Sequence, residues 1–281
     1  MTTETRLFQY LEGLHQGKVT RDWYNKFESD LEEATPFAVN SAIDRLMRYE
    51  DDYDQLELSV ARFIRAASKG LDRFAAVSVP DGHFLDVLIR ENRELENLRI
   101  ELTQQFKTFS TENAPPSADF SSSLQKLQGI SSHYRKLQYG LFPALEEFQS
   151  HSHCVKLMWK IQDDVTAMLR GLVSDTDGFK DRKALNRVFG SMYLKTGTLI
   201  YREEKILFPV TLDAIPADRF EGMQSDLEEY GTAFGVSISR KGGTVMSENI
   251  RNREERKELL QGILKDLHED GDIPATKKRF A

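Results

Sequence analysis

Two stretches of this chain end alike. HYRKLQYGLFP (His133 to Pro143) and TLIYREEKILFPV (Thr198 to Val210) each run through polar residues into Leu-Phe-Pro. Proline has no N–H to donate and its ring clashes with the preceding helical turn, so each ending reads as an apolar closing turn followed by a helix stop. The pattern of apolar and polar residues around them predicts four long amphipathic helices, at 83–112, 119–142, 154–174 and 179–208. The two Leu-Phe-Pro endings close the second and the fourth. Helices one-two and three-four therefore read as two copies of one hairpin. Four helices with short connections suggest an antiparallel four-helix bundle, and an all-α fold class.

The flanks are also helical in pattern. Residues 1–76 read as a small N-terminal helical domain. Its first helix carries Leu7, Phe8, Leu11 and Leu14 on one face, with Gly17 as C-terminal cap. Thr20 is a candidate N-cap of the second, and Thr35-Pro36 opens the third as cap and first helical residue. AAVSVPDGH then reads as a linker to the bundle at 77–212. Residues 213–281 form a C-terminal extension, with one helix across the bundle and a polar helix at 248–268 whose narrow apolar face suits a homodimer or a protein partner.

The net charge of −7, with 30% charged residues, argues against nucleic acid as a partner, because phosphate binding wants a basic face. No apolar run approaches the roughly 20 residues that span a bilayer. MTTETRLFQY has no apolar export core, and the single cysteine, Cys154, forms no internal disulfide. The expectation is a cytoplasmic chain without membrane association.

In a bundle of duplicated hairpins, side chains from all four helices meet at one central point, and metal–carboxylate sites are built this way. The two copies differ there. The first has His133 ten residues before its proline, where the second has Leu199; the second keeps Glu203 and Glu204.

Four segments carry a resemblance to a known family. DGHFLDVLIRENRELENL resembles GHPVHxFKxENxALExL, and ISSHYRKLQYGLFPALEE resembles HYxRKENLLFPxLE. VKLMWKIQDDVTAMLR resembles KVMWxxDDEIRxLL, and YREEKILFP resembles KEENILFP. These patterns belong to the hemerythrin-like (HHE cation-binding) proteins of bacteria. The N-terminal segment resembles the helical domain of unknown function that precedes the bundle in one subfamily, and FEGMQSDLEEYGTAFG resembles the segment that follows it. The likeness spans roughly residues 5 to 235. Many relatives then carry a PAS domain, for which the residues left here are too few.

The resemblance implies non-haem iron held by His-x-x-x-Glu pairs on helices two and four and a further histidine on helices one and three. Carried across by position, helix one has Asp86 with His83 one turn earlier. Helix two keeps His133 but has Leu137 for its glutamate. Helix three has Gln162, and helix four has Leu199 before Glu203 and Glu204. With six histidines in the chain and only His83 and His133 placed to point inward, a histidine-rich di-iron centre is excluded on supply. A carboxylate-rich centre from His83, Asp86, Glu91, His133, Glu203 and Glu204 stands open, for one or two iron ions or for none.

Each candidate has a plainer reading. His83 suits an N-terminal helix position, and Glu91 suits an ion pair with an arginine. Glu203 and Glu204 differ by about 100° round a helix, so one faces in and one out. Asp163 and Asp164 suit a solvated face. His151, His153 and Cys154 in SHSHC could take a soft metal. The functional expectations are a degenerate iron-binding or sensing protein of regulatory type, or a metal-free helical scaffold descended from one. An enzyme is the weakest reading, since no nucleophile–base pair or phosphate loop is visible.

Overall fold

The computed structural model describes residues 2–112, 117–148, 153–174 and 182–238. The predicted helix 248–268 and His151 lie outside them. The described residues form one compact unit. Among the described residues the structure is helical, without strands. None of these helices is long and apolar enough to cross a membrane.

Five helices open the chain: α1 Thr3–His15, α2 Arg21–Glu32, α3 Pro36–Leu46, α4 Tyr53–Ala66 and α5 Ser68–Arg73. Local chemistry sets their ends. Thr20 Oγ1 accepts from the Trp23 amide and Thr35 Oγ1 from the Ala38 amide, with Pro36 at the first turn. Gly17 takes φ 85° after α1, a conformation that costs other residues a steric clash. The inward stripe Leu7, Leu11, Phe27, Leu31, Leu46, Leu56 and Phe63 is fully buried.

Gly70 in α5 shows how closely these helices approach. A Cβ there would lie 2.7 Å from Ala34 N and 2.8 Å from Leu31 O, both backbone atoms that have no room to yield. Gly70→Ala is therefore expected to cost about 1–3 kcal/mol despite alanine's better helix propensity. Urea denaturation measures it; an unchanged midpoint would show that α5 moves away freely.

The remaining helices are α6 Phe84–Glu112, α7 Ala118–Leu127, α8 Ile130–Arg135, α9 Phe142–Phe148, α10 Cys154–Ser174, α11 Arg182–Arg202, α12 Phe208–Ala214, α13 Ala217–Ser225 and α14 Leu227–Tyr230. Residues 75–83 before α6 are non-helical, as the linker pattern predicts. α10 packs on α11, and α6 on α7, α8 and α11. The N-terminal helices join the same unit through α3 against α12 and α4 against α10.

The two Leu-Phe-Pro sequences do not stop their helices. Each helix passes through a π-helical turn, Lys136–Leu141 and Glu203–Leu207, and then continues as α9 and α12 with the proline inside. The Phe142 amide bonds to Leu137 O and the Phe208 amide to Glu203 O, each five residues back. Widening the turn by one residue lets the proline ring clear the carbonyl four residues earlier. In the first copy that carbonyl, on Tyr139, accepts instead from the Tyr230 hydroxyl at 3.3 Å. The repeat is thus a repeated π-turn, and it sits beside the polar residues that the two copies do not share.

Candidate functional site

His133 lies on α8, one turn before the first π-turn, and is fully buried. Its Nδ1 bonds to Glu91 Oε2 of α6 at 2.9 Å, and its Nε2 to Glu203 Oε2 at 3.0 Å. A carboxylate only accepts, so each contact requires a proton on the ring nitrogen, and two such contacts define an imidazolium. Burial opposes that charge. The attraction and hydrogen bond of Glu203, with those of Glu91, override it and push His133 up to about 9.

A fourth charged group completes the cluster. Lys136 lies three residues after His133, one turn along the same helix, and its side chain is fully buried. Its Nζ sits 3.0 Å from Glu91 Oε1 and donates to two carbonyls, Ser132 O at 3.1 Å and Gly231 O at 2.6 Å. Burial pulls the ammonium below its ordinary value, and Glu91 only partly offsets this. Glu91 Oε1 also accepts from the Ala233 amide at 2.8 Å. Burial raises the Glu91 carboxyl, but His133, Lys136 and that amide together hold it below the ordinary carboxylate range. Two carboxylates face two cations, so the buried cluster is formally neutral.

The cluster also ties down residues 231–238. Gly231 O and Ala233 N are bonded to Lys136 and Glu91, and Arg90 Nη1 donates to Ser237 O at 2.8 Å. Phe234, at φ 56°, is the one described non-glycine residue in the left-handed region, between Gly231 at 71° and Gly235 at 77°. Such backbone costs free energy and persists where surrounding contacts hold it.

Of the six residues singled out from the sequence, the structure brings Glu91, His133 and Glu203 together. His83 is half-buried at the start of α6, where its Nδ1 accepts from the Leu85 amide and its ring packs on Phe220. Asp86 accepts from the Gly82 amide at 2.9 Å and pairs with Arg90. It works as a local cap, and Glu91 does not pair with an arginine. Glu204 is half-buried beside Glu203, while both nitrogens of His133 are taken by Glu91 and Glu203. Gln162 of α10 accepts from Gln138 at 3.1 Å. Leu137 and Leu199, at positions where the resemblance implies ligands, are buried apolar residues.

Lys136 and the 231–233 segment had no signal as partners. Lysine on a helix reads as solvated, and its carbonyl at Gly231 is 95 residues away. The spacing to His133 was the only available clue.

The SHSHC residues that are described face α3. The His153 amide donates to Asp44 Oδ1 at 2.7 Å, and Cys154 Sγ donates to Asn40 Oδ1 at 2.9 Å. Burial, with the nearby Asp44 charge, pushes the Cys154 thiol up to about 12, which leaves it inert as a nucleophile. Among the described residues no group of three or more His, Cys, Asp and Glu side chains is arranged to hold one metal ion. In comparisons with protein families, curated proteins and solved structures, nothing matches this chain.

Proposed function

We propose that this chain is a metal-independent regulatory module, built as a hemerythrin-like four-helix bundle in which charged side chains do the work a cation does in such a centre. The observation that carries this reading is His133 held between Glu91 and Glu203, with Lys136 as second cation. A metal on either ring nitrogen would have to displace its proton and break the hydrogen bond to the facing carboxylate, and on the Glu91 side it would also compete with Lys136 and the Ala233 amide. It would gain at most one imidazole and two carboxylates, without the second histidine that soft-to-borderline ions favour.

The regulatory part of the reading rests on the 231–238 strap. It is held by the cluster, and the chain continues from it into residues 242–281, where the sequence of 248–268 reads as a helix with a narrow apolar face. A change in the cluster's charge state would loosen the strap and alter how that segment is presented to a partner.

Anaerobic incubation with excess Fe(II) or Mn(II), followed by desalting and metal analysis, tests the reading. The expected result is far less than one ion per chain and an unchanged Tm. Stoichiometric retention that is lost in Glu203→Gln would favour the iron-sensing reading instead.

A further inference from the structure

A further buried cation lines a cavity of its own. Arg202, the last residue of α11, is 4% exposed, and neither its Nε nor its Nη2 has a hydrogen-bond partner. It lines a cavity of about 20 Å³ between the N-terminal helices and α10. Asn40 and Cys154 supply the other polar atoms of the wall, and the rest is apolar, with Val60, Leu157 and Ile206 among the lining residues.

Among the described residues no carboxylate forms an ion pair with it. The carboxylate that acts on it most, Glu57, is already engaged by Lys160 and Lys195. Asp44 serves His153 and Arg48. The Cys154 thiol is committed to Asn40. Burial pulls Arg202 down to about 10, so it is still fully charged at neutral pH. An isolated buried charge costs several kcal/mol unless it is paired.

We propose that this cavity is a binding site for a small monovalent anion of chloride size, held by the Arg202 fork between the N-terminal helices and the rest of the unit. The size argument is direct: about 20 Å³ holds one water-sized particle. A volume of that order suits a single halide ion. Charge selects in the same direction, since a divalent anion would leave one uncompensated charge among apolar walls. Nε–H and Nη2–H of a guanidinium point the same way, as a two-donor fork suited to one spherical acceptor. Occupancy would brace the contact of α3 and α4 with α10 and α11, so the anion would act as a structural ligand.

The test uses the full chain. Thermal unfolding is followed as sodium chloride replaces sodium gluconate at constant ionic strength. The expected result is a saturable rise in Tm of about 3 °C, which Arg202→Met abolishes. A crystal grown in bromide should show an anomalous peak against Arg202. A Tm that does not distinguish chloride from gluconate, a site filled by water only, or a chloride response that survives in Arg202→Met would each overturn the proposal. The wild-type measurements decide by themselves should Arg202→Met not fold.

Discussion

Glu91→Leu is expected to lower the unfolding free energy by about 3–5 kcal/mol, the range for removing one partner from a buried ion pair. Glu91 accepts from His133, Lys136 and the Ala233 amide at once, so the substitution strands an ammonium and half-strands an imidazolium in an apolar surrounding. Lys136→Met should cost less, because the burial of Lys136 already outweighs the attraction it receives. The double variant should be more stable than Glu91→Leu alone, since it removes the stranded cation with the carboxylate. Urea denaturation of the four proteins closes the cycle. Additive losses would mean that the contacts are not coupled. Hydrogen exchange at the Ala233 amide should also accelerate in Glu91→Leu well beyond the global loss, if the cluster holds the strap.

The second large effect is on pH. The folded-state value of His133, about 9, lies above its ordinary 6.5. A raised value means that the stabilisation is fully present below about 6.5 and is lost as pH rises through about 9. The difference corresponds to about 3 kcal/mol. Glu91 acts on the acid side with the opposite sign. Its depressed value gives stability that is present above the ordinary carboxylate range and is lost as pH falls through the folded value. Lys136, also depressed, works against the His133 trend only as its own lowered titration is reached, and Lys136→Met removes that contribution. The cluster is thus most stabilising in mildly acidic to neutral solution. His133→Gln should flatten the dependence between pH 6.5 and 9; a wild-type protein whose urea midpoint is level across that window would contradict a buried imidazolium.

What the sequence revealed follows the range of each interaction. Thr20, Thr35 and Gly17 announced their helix ends because caps are made within three or four residues. Helical spacing and the repeat place His133 and Glu203 inward, whereas Glu91 reads as the partner of an arginine and its place between His133 and Lys136 comes from the structure. Asp86 and His83 look equally eligible, yet the amides of Gly82, just before α6, and of Leu85, in its first turn, are the nearer partners and take them. The prolines read as stops because the α-helical ladder excludes them, and the π-turn that admits Pro143 and Pro209 leaves no composition signature. Lys136 and Arg202 were invisible for a common reason. Long cations are solvated by default, and much of what surrounds each of them inside comes from segments far away in the chain. The difference between the two Leu-Phe-Pro stretches reads differently with Lys136 in view. The first copy lacks a glutamate and carries two cations, the second lacks a histidine and keeps its carboxylate, and the sum is neutral with the carboxylate of Glu91.

The protonation of His133 at neutral pH tests the central claim most directly. Two-bond ¹H–¹⁵N NMR of imidazole-labelled protein at pH 7 reports both ring nitrogens. The account predicts two protonated nitrogens of an imidazolium that titrates near pH 9 and is unaffected by added Fe(II) or Mn(II). A neutral single tautomer at pH 7, or a signal lost on adding a paramagnetic ion at one equivalent, would contradict it.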